Sequence, residues 1–136
     1  MSQKKDYEIT VRVQPSDIDE LGHVNNIVYL HWVQEAAIAH WQHLAPEEHQ
    51  KKVLWVVLRH EIDYKAPAAE GEEIIARTWV GGARRLSFER NTEILRKQDR
   101  KLLAKARTIW CPVNARTKKP QRVDQEIRDL FSAPAP

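Results

Sequence analysis

Tyr7, Ile9, Val11 and Val13 alternate with Glu8, Thr10 and Arg12 near the start of the chain. Successive side chains of a strand point to opposite faces, so this period of two predicts a half-buried strand. Pro15 ends it, and a polar, carboxylate-rich loop holding Gly22 runs over 15–23. The pattern then changes. Residues 24–44 contain neither proline nor glycine, and Val28, Leu30, Trp32, Val33, Ala36, Ala37, Ile38, Ala39, Trp41 and Leu44 occupy nearly every side of a helical wheel. That distribution predicts a long helix, apolar almost all round and therefore buried. Asn25 or Asn26 is placed to cap its first turn, because an Asn side-chain oxygen can accept from a free amide there. Pro46 closes the segment.

Four more strands are predicted, over 53–65, 73–80, 86–95 and 102–113. The first opens on an apolar run and then alternates, with Leu58, His60, Ile62 and Tyr64 on its apolar face. The second is expected to end in a turn at Gly81 and Gly82. A basic loop over 116–122 precedes a short helix over 124–131, and residues 132–136 are expected to form a disordered tail. Short links between strands favour antiparallel hairpins. One twisted antiparallel sheet must then cover the long helix, giving an α+β fold in which the sheet wraps a central helix in a single domain over 1–136. Such a sheet leaves an exposed edge strand, which pairing with a second copy would cover.

The composition adds exclusions. A chain of 136 residues suits one domain, and 30% charged with 42% hydrophobic residues is ordinary for a soluble protein. The N-terminal residues carry no apolar signal-peptide core, and no run of apolar residues is long enough to span a bilayer. A cytoplasmic protein with no membrane partner is the expectation. The net charge of +3 suits an anionic small molecule as well as a nucleic acid. The five tryptophans fall inside hydrophobic segments, and no basic stripe appears, so a core role is favoured over base stacking and no nucleic-acid partner is expected. The lone Cys111 sits beside Ile109, Trp110 and Val113 and reads as a buried strand thiol rather than a nucleophile. Histidines and carboxylates show no metal-ligand spacing, and no cofactor is expected.

Chemistry concentrates in Ser16-Asp17-Ile18-Asp19-Glu20-Leu21-Gly22-His23-Val24-Asn25-Asn26. This segment sets carboxylates directly before the start of a buried helix. The first turn of a helix has unpaired amides and a partial positive charge, which can polarise a carbonyl and stabilise an oxyanion. A carboxylate a few residues upstream can attack that carbonyl or activate a water toward it. The same residue types also serve as ordinary caps and turn formers. Gly-x-Ser-x-Gly is absent, so no serine-hydrolase elbow is present.

The run Asp17-x-Asp19-x-x-Gly22-His23-Val24-Asn25-Asn26-x-x-Tyr29, with Glu35-x-Ala37 further along the helix, resembles acyl-CoA thioesterases of the 4-hydroxybenzoyl-CoA thioesterase family. The His-Val-Asn-Asn portion is also similar to plant acyl-ACP thioesterases. Tyr64-x-x-Pro67-Ala68 followed by Gly71 looks like the same family's second strand and turn. The resemblance implies a hot-dog fold and hydrolysis of an acyl-CoA or acyl-ACP substrate. It implies Asp19 as nucleophile or general base, with Asp17 shaping the loop. It places the oxyanion donor near Asn25 and Asn26, and matches Glu35 to an acid that serves catalysis in some relatives. Many relatives carry Arg directly after the Glu-x-Ala triplet, where this chain has Ile38. A homodimer or homotetramer is expected, with Asp19 of one subunit near the strand beginning at Val53 in the other.

Other residues remain open to two readings. His23 could orient substrate or assist proton transfer, or brace the loop. Glu35 among apolar neighbours calls for a partner, and His31, one turn earlier, could supply it. Tyr29 belongs to the motif and is a candidate substrate contact. The phosphates of CoA call for cations: Arg84 and Arg85, with Ser87 beside them, are one set, and Lys118, Lys119 and Arg122 are the other. His60 is expected to be structural. Two alternatives are carried: a dehydratase or hydratase of the same fold, whose His-Phe-Pro or proline-loop Asp/His signatures are missing, and a non-catalytic acyl-CoA-binding protein, which would not need Asp19.

Overall fold

The computed structural model describes residues 6–131; the expected tail at 132–136 lies outside them. Five strands form one antiparallel sheet: β1 (Tyr7–Arg12), β2 (Val53–Tyr64), β3 (Glu73–Ala83), β4 (Phe88–Arg96) and β5 (Leu102–Asn114). Their spatial order is β1-β3-β4-β5-β2. Helix α1 (Asn26–Leu44) packs against β1, β3 and β4, α2 (Glu47–Lys52) leads into β2, and α3 (Gln125–Phe131) closes the described chain. The hot-dog architecture is therefore as expected.

The order corrects one expectation. β3–β4 and β4–β5 are hairpin neighbours, but β2 and β3 lie far apart, with β2 at an edge. Residues 65–72 are a crossover, which runs beneath the start of α1: the Val24 amide donates to the Ala68 carbonyl (3.3 Å) and the Ala68 amide donates to the Tyr29 hydroxyl (3.0 Å).

Helix α1 starts later than 24 because Val24 is held extended by a bridge to Ile18. Asn25 is the cap, its Oδ1 accepting from the Ile27 amide at 3.1 Å. Tyr29, Trp32, Val33, Ala36, Ala37 and His40 are buried, a single stripe at spacings of three and four. The opposite side is not covered. Ile27 (62% exposed) and Ile38 (51%) lie there with His31 and Glu35. A single sheet covers only one side of a helix, so the helix that reads as apolar all round has an apolar outer face as well.

Two strand details also depart from the simple pattern. A bulge between Val57 and Arg59 of β2 inserts Leu58 as an extra residue, leaving it 60% exposed. The inward face is Val53, Trp55 and Val57 before the bulge, and His60 and Ile62 after it. Gly81 and Gly82 are not a turn but lie within β3, beside a register shift. A Cβ on Gly81 would come within 2.8 Å of the side-chain ends Asn91 Nδ2 and Glu89 Oε2, which would have to shift to admit it. The turn itself falls at 84–87, where the Arg84 amide donates to the Ser87 carbonyl.

The main core lies between α1 and the sheet, around Val33, Ala36, Ile74, Ile94 and Leu103. A second cluster, with Phe88, Val123, Ile127 and Phe131, fills the end under α3. Cys111 is buried, which pushes its thiol pKa up and suits a structural role. His60 is half-buried, its Nδ1 within 3.0 Å of Thr108 Oγ1, and burial lowers its pKa.

Candidate active site at the start of the central helix

The Asp19 loop is built by its own backbone. The Asp19 amide donates to the His23 carbonyl (2.8 Å), and the Gly22 amide donates to the Asp19 carbonyl (3.0 Å), closing a four-residue turn. Gly22 takes φ +80°, a left-handed value that glycine adopts without a Cβ clash. Asp19 Oδ1 accepts from the amides of Leu21 (2.9 Å) and His23 (3.4 Å), and its carboxylate is half-buried. Oδ2 has no protein donor among the described residues. One oxygen thus fixes the side chain while the other is left for chemistry.

Asp17 does different work. Its Oδ2 accepts from the Gln14 amide (2.8 Å), bracing the 3₁₀ turn Pro15–Asp17, and its carbonyl accepts from the Asn25 amide (2.8 Å). The latter bond ties the loop to the helix cap. The Asn25 amide is therefore consumed, as are Ile27 (by the Asn25 side chain) and Val28 (by the Asn25 carbonyl). The Asn26 amide has no hydrogen-bond acceptor among the described residues. Of the two candidate oxyanion donors, the geometry leaves Asn26.

Tyr29 is not on a ligand-facing surface. It is 2% exposed, its hydroxyl accepts from the Ala68 amide, and its ring meets those of Trp32 and Tyr64 edge-on. Burial raises its pKa, so it stays a neutral brace. Tyr64 reaches over to donate to the Asn26 carbonyl at 3.1 Å. His23 is exposed, and what it gives the loop is its backbone.

Glu35 and His31 are both exposed, and no hydrogen bond or ion pair joins them among the described residues. The expected pairing is not made, because the outer face of α1 demands none. Nine residues at 1.5 Å each put Glu35 about 13 Å along the helix from Asn26, too far to share a carbonyl with Asp19 of the same chain.

The two cation sets lie on segments joined by one backbone hydrogen bond. The Val123 amide donates to the Arg85 carbonyl (3.0 Å), seating the basic loop against the 84–87 turn. Arg84, Arg85, Lys118, Lys119 and Arg122 are all exposed, and none has an ion-pair partner among the described residues.

An aromatic-walled cavity of about 610 Å³ is not beside Asp19. It opens between the second half of α1, the start of β2 and α3, and its walls include Trp41, Trp55, Phe88, Trp110 and Phe131. The rings interlock edge to face, Trp41 on Trp55 at 5.4 Å and Phe88 on Phe131 at 5.6 Å. Trp32 lies in the main core, and Trp41, Trp55 and Trp110 pack against the second cluster while also walling the cavity. Among the described residues no three His, Cys, Asp or Glu cluster as a metal site would need.

A profile of the thioesterase-like superfamily matches residues 13–131, nearly the whole described chain. The chain belongs to the thioesterase-like superfamily. It is 20% identical over 124 residues to a chloroplastic palmitoyl-acyl carrier protein thioesterase of Gossypium hirsutum, covering 91% of this chain and 30% of that protein. The chain thus spans less than a third of the length of that plant relative. Among solved structures it resembles a 1,4-dihydroxy-2-naphthoyl-CoA thioesterase from Synechocystis, with TM-score 0.80 and 21% identity over 93% of this chain and 96% of the other. It also resembles a Thermus thermophilus thioesterase complexed with coenzyme A and Zn, with TM-score 0.80 and 27% identity over 91% and 90%. The family read from the Asp19 motif is therefore the family of the chain, and thioester hydrolysis is its general chemistry. No helix among the described residues is long and apolar enough to cross a membrane.

Proposed function

We propose that this superfamily member hydrolyses an acyl-CoA or acyl-ACP thioester, with Asp19 as its catalytic carboxylate. The observation that carries the reading is the pairing of a free Asp19 Oδ2 with the free Asn26 amide at the start of α1. The amide and the helix's partial positive charge polarise the thioester oxygen. Asp19 Oδ2 then attacks the carbonyl carbon, or takes a proton from the water that does so. When Asp19 attacks, the C–S bond breaks to leave a mixed anhydride, water hydrolyses it to free acid and the Asp19 carboxylate, and the proton that water gives up goes to the departing thiolate. When water attacks, the C–S bond breaks to give the acid directly, and the proton taken by Asp19 passes to the thiolate.

The acyl pocket is supplied by a second copy. β2 is a 12-residue edge strand carrying exposed Leu54, Val56 and Leu58. An apolar edge of that length is a pairing surface. Antiparallel pairing of two such edges about a two-fold axis sets the Val53 end of one copy against the Tyr64 end of the other. Tyr64 touches Asn26, so the Tyr64 end marks the catalytic loop. The pairing therefore brings Asp19 of one copy toward the cavity bordered by Val53, Leu54 and Trp55 of the other, and toward Glu35 on its helix. This resolves the separation of cavity and carboxylate within one chain. Arg84 and Arg85 stand four and three residues before Phe88, a cavity wall, and suit the phosphates of the carrier.

The test is hydrolysis of a panel of acyl-CoA thioesters of varied chain length, aryl ones included, followed by thiol release. Cleavage of at least one member is expected. Folded protein that cleaves none, as CoA or acyl-ACP thioesters, refutes the reading.

A further inference from the structure

The cavity contains a charge that its aromatic walls do not explain. Residues 88–94 of β4 turn alternately inward, and the inward set is Phe88, Arg90, Thr92 and Ile94. Arg90 thus stands where the pattern calls for an apolar or small polar residue. It is 5% exposed and forms part of the cavity wall. Its Nη1 donates to His40 Nδ1 (3.0 Å) and to Thr78 Oγ1 (3.0 Å), and its guanidinium lies 5.3 Å from the centre of the Phe131 ring. Arg has no acceptor, so His40 accepts through Nδ1 and holds any proton on Nε2. These contacts hold one nitrogen of the fork. Nε and Nη2 have no protein acceptor among the described residues, and no carboxylate pairs with the group.

Burial pulls the pKa of Arg90 down to about 10, which still leaves it charged at neutral pH. A buried charge without a counter-ion is costly unless something pairs with it. No Asp or Glu lines the cavity. The indole N–H groups of Trp55 and Trp110, two other wall residues, are buried without acceptors as well. The cavity is thus apolar at its rings and rich in donors that lack acceptors, while the unused Nε–Nη2 edge of Arg90 is the one that takes a carboxylate in bidentate fashion.

We infer that this cavity selects acyl groups bearing a carboxylate at the end remote from the thioester, with Arg90 as the residue that recognises it. The apolar chain lies among Trp41, Trp55, Phe88 and Phe131, and the distal carboxylate meets the open edge of the guanidinium. The inference rests on the proposed thioesterase function and names its substrate class. Arg90 touches the acyl tail and not the reacting carbon, so its effect belongs to selection between substrates.

Two measurements test it. In the first, kcat/KM is compared for suberoyl-CoA and octanoyl-CoA, which differ in the distal carboxylate alone, on wild type, Arg90→Met and Arg90→Lys. Wild type is expected to favour suberoyl-CoA by about tenfold or more, the size of one charge-assisted pair. Arg90→Met should abolish that preference while still cleaving octanoyl-CoA, and Arg90→Lys should keep part of it. In the second, S-(7-carboxyheptyl)-CoA and S-octyl-CoA, thioethers that cannot be hydrolysed, are titrated against wild type by tryptophan fluorescence. This arm needs neither turnover nor a folded variant. Tighter binding of the carboxylated thioether is expected. Equal binding of the two, with octanoyl-CoA cleaved as well as suberoyl-CoA, overturns the inference and leaves the thioesterase reading standing. Binding of neither, with no thioester cleaved, overturns both.

Discussion

Replacing Asp19 by Asn separates the two jobs its carboxylate does. Oδ1 accepts from the Leu21 and His23 amides. An Asn oxygen can accept both, so the turn should survive. The loss is the difference between charged and neutral acceptors, about 1 kcal/mol, which for a domain of this size lowers Tm by about 3–4 °C. What Asn cannot supply is the anionic Oδ2, and with it the nucleophile or base. That contribution is typically about 10² to 10⁴ in rate, and kcat should fall by that factor. Asp17→Asn is the matched control. Its side chain accepts only from Gln14, and its bond to the helix cap runs through its carbonyl oxygen, which the substitution leaves in place. Its kcat should fall by less than about tenfold. The assay is thiol release from the best thioester of the panel, with circular dichroism to confirm folding. A folded Asp19→Asn variant that turns over near the wild-type rate refutes the mechanism and makes Glu35 the next carboxylate to replace. Equal losses at 17 and 19 refute the division of labour.

Three further outcomes are expected. Leu58→Lys places a charge on the exposed bulge of the β2 edge, and light scattering should show monomer with activity lost; an active monomer would rule out a shared site. Alanine at both Arg84 and Arg85 should raise KM far more than it lowers kcat, and high salt should mimic it, because exposed charges bind substrate and transition state alike and are screened; an unchanged KM shifts the carrier contact to Lys118, Lys119 and Arg122. Tyr29→Phe strands the buried Ala68 amide and should cost about 1–3 kcal/mol, lowering Tm by several degrees in a thermal melt; an unchanged Tm means that amide finds another acceptor.

The chain's local patterns were legible where one neighbour decides the outcome. β1 alternates because one face meets the helix, and Asn25 caps because its oxygen reaches an amide two residues on. Distant contacts were not legible. The alternation in β2 gives no sign of the bulge at Leu58, which is set by pairing with β5. Gly81 looks like a turn until β3 is seen to pair with β4 past it, as far as Ala83 opposite Phe88. Tyr29 has the motif position of a ligand contact, but its partner, Ala68, comes from a crossover whose path no local pattern reveals. In the site, the placing of Asp17 and Asp19 just before the helix was readable, while telling the paired Asn25 amide from the unpaired Asn26 amide required knowing where each one goes. Arg90 was missed although a signal existed: an arginine in phase with Phe88, Thr92 and Ile94 breaks the apolar face of a strand.

Ala68 makes the Asp19 loop part of something larger. Its carbonyl holds Val24 and its amide holds Tyr29, so one peptide unit on either side of a single residue joins the loop, the helix and the crossover. The loop cannot swing away from the helix without also freeing the crossover, which passes from the edge strand β2 to β3, next to the opposite edge. Opening of these segments is then one cooperative event with one free energy, a single unit of local unfolding. Hydrogen exchange at Val24 and Ala68 would proceed at matched protection, far above that of an ordinary surface loop, and a carboxylate in a loop would inherit the rigidity of a β-sheet.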